Sequence, residues 1–184
     1  MMNQSIYTSA YYSLVVQFII AIICLLGTFI KLDEQDKILH DVLVLETVVQ
    51  FIEFTFYVWL VYNFNNIKID ISVVRYYDWF LTTPTMLFSL ICFMVYFHKK
   101  TQHISSTEEL SLASIYQDNN TVINKIMLSN VLMLLLGYLG ELNFINKMTG
   151  FLTGTFFLVY AFYYIYVTFV QDQLVNEYLF VLYR

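Results

Sequence analysis

Arg75 and Asp78 stand three residues apart in Arg75-Tyr76-Tyr77-Asp78-Trp79-Phe80-Leu81-Thr82-Thr83-Pro84, inside a segment that is otherwise apolar to about Phe97. On a helix, Arg75, Asp78, Thr82, Met86 and Ser89 share one face, because they recur at spacings of three and four. An aspartate in such a place can serve as counterion to a buried cation, as a proton acceptor, or as both. Its proton affinity is set by a competition between desolvation and the guanidinium beside it. A change in a neighbouring cation tips that balance, which is the physics of a proton switch. A static ion pair that fixes helix register is the plainer alternative.

The elements that must position these residues are membrane helices. The 184 residues are 59% hydrophobic and 12% charged, with five Gly and one Pro, so little of the chain is loop. That composition predicts an all-α, polytopic membrane helix bundle rather than a soluble domain. Aromatics at 19% suit a lipid-facing bundle, and a net charge of -5 argues against nucleic acid as a partner. Five spans are expected, at about 10–30, 42–62, 71–97, 125–145 and 148–170, with the start of a sixth at 174–183, all in a single domain 1–184. A ten-residue sixth segment is too short to cross, so an interfacial helix or docked tail is its alternative. The first span has no basic region before it and too long an apolar run for a cleaved signal, so it is read as retained. Cys24 and Cys92 fall inside apolar segments and are expected as free thiols. With the N-terminus outside, Lys31, Lys37, Lys99, Lys100 and Lys125 are cytoplasmic, and Lys68 and Lys147 are outside, as the positive-inside rule asks.

Other polar residues extend the argument. Glu46, Gln50, Glu53 and Tyr57 form a stripe at helical spacing on the second span. Glu46 lies near a helix end and can snorkel. Glu53 lies near mid-bilayer, so it must face the bundle interior or a hydrated path. The stripe could line a cation pathway, or form a hydrogen-bonded seam with Glu53 protonated. Thr82 and Thr83 can bond back to their own helix beside Pro84. Met133, Gly137, Gly140, Gly154 and Thr155 lie at facing depths on the fourth and fifth spans, where small residues favour close helix packing. The three histidines show no metal-ligand spacing, and neither a phosphate loop nor a nucleophile triad is visible.

Arg75 to Pro84 resembles the third helix of the microbial (type 1) rhodopsins. Leu134-Leu-Leu-Gly-Tyr-Leu-Gly-Glu141 and Phe151-Leu-Thr-Gly-Thr-Phe-Phe-Leu-Val-Tyr160 are similar to proteorhodopsin segments, and the glutamates of the second span look more like the viral rhodopsins. The resemblance implies a seven-helix bundle that holds retinal as a protonated Schiff base on a lysine of the seventh helix. It implies that Asp78 is counterion and primary proton acceptor, and that Arg75 gates the outward path. Trp79, Thr83, Met86, Met133, Gly137, Gly154, Thr155 and Leu158 match positions that wall the retinal, and Tyr76 matches a tyrosine near the counterion. Met86 occupies a position where an apolar side chain goes with green absorption.

Three departures bear on function. Ser89 stands where outward pumps keep a carboxylic proton donor, Phe56 where proteorhodopsins pair a histidine with the counterion, and the chain stops before a seventh helix and its lysine. A partial sequence is the expected reason for the last. The function expected is a retinal photoreceptor coupling light to ion transport, as a proton pump or a cation channel, with Glu53, Gln50, Glu46 and Ser89 along the ion pathway. A light-silent membrane scaffold without covalent retinal is the first alternative. A photosensor is the second, and needs the polar stretch 98–124 as a docking surface. Expected partners are retinal and the bilayer; a homo-oligomer is open.

Overall fold

The structure, a computed structural model, describes residues 4–68, 70–101 and 110–170. Five helices follow one another: α1 (Gln4–Gly27), α2 (Lys37–Asn63), α3 (Ile71–Thr101), α4 (Leu112–Glu141) and α5 (Lys147–Ile165), which widens into a π turn at Tyr166–Val170. Each is long and apolar enough to cross a membrane. α1–α2, α2–α3, α3–α4 and α4–α5 are the packed pairs, and α3 and α4 run antiparallel, with Tyr96 near Ile115 at one end and Tyr77 on Tyr138 at the other. Phe18, Ile23, Leu26, Phe151, Phe156 and Val159 are exposed along α1 and α5, an arrangement only lipid tolerates. The chain is thus an all-α, multi-pass integral membrane protein. The segment expected at 174–183 lies outside the described residues.

Helix boundaries depart most from expectation at α4, which begins at Leu112 rather than near 125. Ser111 and Ser114 cap this start reciprocally, side chain to backbone, and Ile115 anchors it in the core at 1% exposure. The helix breaks at Asn119 (φ -119°, ψ 17°), whose amide donates to the Ile115 carbonyl, and then crosses the bundle. Lys125 is therefore a mid-helix residue rather than a loop one; it is exposed, with Nζ 5.3 Å from the Tyr164 ring centroid. Part of the polar stretch 98–124 is helix, and 102–109 is outside the described residues. At its other end α4 stops at Glu141, short of 145. Asn143 takes a left-handed conformation (φ 59°) and Asn146 caps α5 by accepting from the Met148 amide.

Two kinds of contact hold the helices. Between α4 and α5 the backbones touch. Gly150 and Gly154 form a small-xxx-small ridge, and a Cβ at Gly150 would meet the Leu136 carbonyl at 2.8 Å and the Gly140 Cα at 3.2 Å. Elsewhere apolar clusters close the ends of the bundle. Ala10, Leu60, Phe64, Ile71 and Val74 close the end that carries the N-terminus. Ile38, Cys92, Tyr96 and Ile115 close α2, α3 and α4 at the opposite end. Ile91, Met94, Ile123, Ile126, Ala161 and Ile165 join α3 to α4 and α5.

Outside the spans, the α1–α2 connection is tied to α3. Tyr96 donates to Asp36 Oδ1 at 2.5 Å, and Lys100 Nζ donates to the same oxygen at 2.9 Å and to the Tyr96 hydroxyl at 2.6 Å. The Tyr96 hydrogen bond, then the Lys100 one, holds the Asp36 carboxyl below its ordinary range. A depressed pKa contributes stability that is full above the unfolded value of about 3.9 and is lost as pH falls through the lower folded value. The wild-type thermal midpoint should therefore drop more steeply with acidification below about pH 4 than that of Asp36→Asn, which lacks the titrating group. Gly150→Ala should destabilise the α4–α5 crossing by about 1–3 kcal/mol in reversible denaturation, because backbone rather than a mobile side chain occupies the space.

Candidate functional site

The first turns of α3 carry Arg75 and Asp78. At about 1.5 Å per residue from Ile71, Asp78 lies roughly 10 Å into the helix. Asp78 is buried at 5% exposure, and Thr82 below it at 1%. Arg75 does not pair with it. The static ion pair raised as the plainer alternative does not form among the described residues: no Arg75–Asp78 salt bridge occurs, and the guanidinium acts on the carboxyl only from a distance. Arg75 is exposed, with its guanidinium 4.8 Å from the centroid of the Trp79 ring. The cation finds a π face one turn along at the wetter end of the helix, where it gives up little hydration. Asp78 Oδ1 is left buried with no hydrogen-bond partner.

Pro84 removes the backbone donor that would serve the Phe80 carbonyl in mid-α3, and the threonines around it bond back to the neighbouring carbonyls. Thr82 donates to the Asp78 carbonyl at 3.1 Å, Thr83 to the Trp79 carbonyl at 2.9 Å and Thr85 to the Leu81 carbonyl at 3.0 Å. Thr82 thus braces the Asp78 backbone. Thr83 has a second partner that sequence reasoning did not find: Asn130 of α4, 4% exposed, donates to its hydroxyl at 2.8 Å. The signal was present as a lone amide inside the apolar α4, but its partner is fixed only by how α3 and α4 cross.

Among the described residues, four buried side-chain polar atoms lack a partner: Gln17 Oε1, Gln50 Oε1, Asp78 Oδ1 and Ser89 Oγ. They lie on α1, α2 and α3. Glu53 is half-buried among them, with the Gln17 amide against its carboxyl and Asp78 near enough for the two acids to sense each other. Glu46 is half-buried toward the far end of α2, close to Cys24. Gln17, Glu53 and Asp78 thus come together from α1, α2 and α3, while Gln50, Glu46 and Ser89 lie further along α2 and α3 toward the Asp36 end; we term this set the polar seam. Gln17 was absent from the sequence-derived set because a single amide in α1 makes no stripe. An open cleft of about 560 Å³, lined by Thr8, Ser9, Tyr12, Ser13, Val16, Gln17 and Tyr57, leads to it along α1.

The residues matched to a retinal wall are less gathered. Tyr76 faces α4: its ring meets Trp79 and Tyr138 edge-on, and its hydroxyl fills the space where a Gly137 side chain would stand. Gly137 thus makes room for Tyr76. A Cβ at Gly154 would meet the Met133 carbonyl at 3.3 Å, so that glycine serves helix contact. Met86, Thr155 and Leu158 are exposed, and Trp79, Thr83 and Met133 are half-buried. Cys24 and Cys92 are both free thiols.

Fold and site together define a class: a multi-pass helical membrane protein with a carboxylic acid sequestered in its third helix. Residues 8–176 match the family of bacteriorhodopsin-like proteins, and the chain belongs to that family. It is similar in fold to the viral rhodopsin OLPVRII, whose crystal structure superposes with a TM-score of 0.70 at 24% identity, over 89% of this chain and 71% of that one. No curated protein matches the chain. Membership makes it a rhodopsin-type membrane protein of the photoreceptor and transporter kind, not an enzyme.

Asn130→Ala should loosen the α3–α4 contact by about 0.6–1.7 kcal/mol, the range for interhelical hydrogen bonds in membranes, measured by reversible denaturation in bicelles.

Proposed function

We propose that the chain supplies the counterion and ion-path half of a retinal photoreceptor that couples light to ion movement. The observation that carries this reading is the set of orphaned polar atoms at Asp78, Gln17, Gln50 and Ser89. Buried polar groups are almost always satisfied, and four in one seam call for water or a ligand. The unpaired Asp78 fits a cation brought by a group from outside the described residues. Retinal, when bound, supplies light absorption and a movable cation.

Every other role falls to the chain itself. Asp78 balances that cation and accepts a proton, Thr82 holds its backbone, and Arg75 guards the end of the seam that carries the N-terminus. Trp79, Thr83, Met86 and Met133 would form one side of the retinal wall, with Tyr76, Gly137, Gly154, Thr155 and Leu158 flanking it. Glu53, Gln50, Glu46 and Ser89 would carry ions or protons along the seam. The lysines set the orientation, with the N-terminus outside and the Asp36 end cytoplasmic. Ser89 has no exchangeable acid to return a proton, which favours a pore over an efficient pump.

One observation favours a second reading for the 184 residues taken alone. Every lysine of the chain is exposed except Lys99, which is half-buried near the end of α3, so none reaches Asp78. Such a chain has nothing to tether retinal and acts as a light-silent membrane scaffold. Adding retinal to membranes that hold the protein separates the two. A retinal-dependent visible band that shifts to the red in Asp78→Asn supports the photoreceptor; no band supports the scaffold, and a band unmoved by Asp78→Asn removes the counterion role. Where a band forms, photocurrent at zero driving force marks a pump, and current that reverses with the ion gradient marks a channel.

A further inference from the structure

We infer that Asp36, Tyr96 and Lys100 form a latch that holds shut an apolar plug of Ile38, Cys92, Tyr96 and Ile115, closing the polar seam at its Asp36 end. The inference rests on reading that seam as an ion path. Ser89, the last orphaned polar residue of the seam on α3, lies one turn before Cys92. Beyond it the four plug residues are exposed by 0–5%, and Leu39, Val42 and Phe88 pack around them. An ion or water file leaving Ser89 thus meets a dry constriction, which blocks conduction by dewetting.

Three helices, α2, α3 and α4, build the plug, and the latch is what registers α2 against α3. Tyr96 belongs to both parts, its ring in the plug and its hydroxyl on Asp36. Asp36 ends the 3-10 turn Glu34–Asp36 and immediately precedes α2, so its grip on Tyr96 and Lys100 sets where Ile38 enters the plug. Lys100 closes a three-membered ring of hydrogen bonds and lies 5.2 Å from the Tyr96 ring centroid. A hydrogen bond from a buried tyrosine to a carboxylate is charge-assisted and short, and replacing either partner frees the ring to leave. Ile115 completes the plug from the capped start of α4, ahead of the break at Asn119. Asp36, Tyr96 and Lys100 are positioning residues, acting on the path through Ile38 and Cys92.

Cys92, at 0% exposure, is a built-in reporter of the plug. In protein carrying Cys24→Ser, so that Cys92 is the one thiol of these 184 residues, with any further cysteine also replaced by Ser, its rate of reaction with a bilayer-impermeant methanethiosulfonate is measured in open membrane sheets in the dark. The wild-type latch should protect it. Asp36→Asn and Tyr96→Phe should each raise the rate at least ten-fold. Lys100→Arg, which keeps the charge, should stay protected, as should Tyr138→Phe, which removes a hydrogen bond at the opposite end of α3 and α4. Fast labelling without any latch substitution, unchanged rates in Asp36→Asn and Tyr96→Phe, or an equal rise in Tyr138→Phe would each overturn the latch. Dark labelling needs no retinal, so the proposed function fails separately: if the latch variants open the plug but light never does in retinal-treated wild type, the latch stands and the light coupling falls.

Discussion

Hydrocarbon offers a polar group nothing to bond with, and the architecture of this protein follows from that constraint. Backbone groups are met by helices, and the threonine hydroxyls beside Pro84 bond back to carbonyls of their own helix. Side chains are sorted by the same rule. Arg75 settles on Trp79 at a helix end, and Lys125 on Tyr164 at the bundle surface. Among the described residues, Asp78, Gln17, Gln50 and Ser89 keep buried side-chain atoms without partners. Such exceptions, gathered on α1, α2 and α3 among the described residues, are the strongest physical sign of where function resides.

The bundle divides its labour around that seam. α4 and α5 make a rigid wall, because glycines let their backbones touch and leave no room for adjustment. α1, α2 and α3 carry Gln17, Gln50, Glu53 and Asp78, with apolar clusters as stoppers at both ends. Asn130 and Thr83 join the two parts at the level of Pro84, where α3 has the fewest backbone bonds of its own. Movement of α3 near Pro84 would therefore be felt by Asp78 above and by Ser89 and Cys92 below. That places the acid, the hinge and the plug on one helix.

The class of protein was legible from residue types alone. Apolar runs near 20 residues with few charges can only be spans, and an arginine and an aspartate within one of them single out α3. The family too was legible, because Arg75 to Pro84 is a local string whose identity does not depend on folding. The start of α4 was hidden, since Gln117, Asp118, Asn119 and Asn120 read as loop; the Ser111 cap and the burial of Ile115 make it helix. Exposure of the pocket residues was equally hidden, since spacing gives a face and not what covers it.

Sequence by itself thus determined the number of the described spans and their approximate centres, the acid on α3 and the family, because each is a property of contiguous residues. Tertiary structure decided the pairings. Sequence proximity suggests Arg75 for Asp78, yet a cation near a helix end keeps more of its hydration over Trp79 than beside a buried acid. Asn130 meets Thr83, Tyr76 fills the notch at Gly137, and Asp36 reaches Tyr96 and Lys100, all across helices distant in the chain. Such contacts depend on crossing angles and depths that no single helix encodes, and they set which polar atoms are satisfied and which are left for the seam.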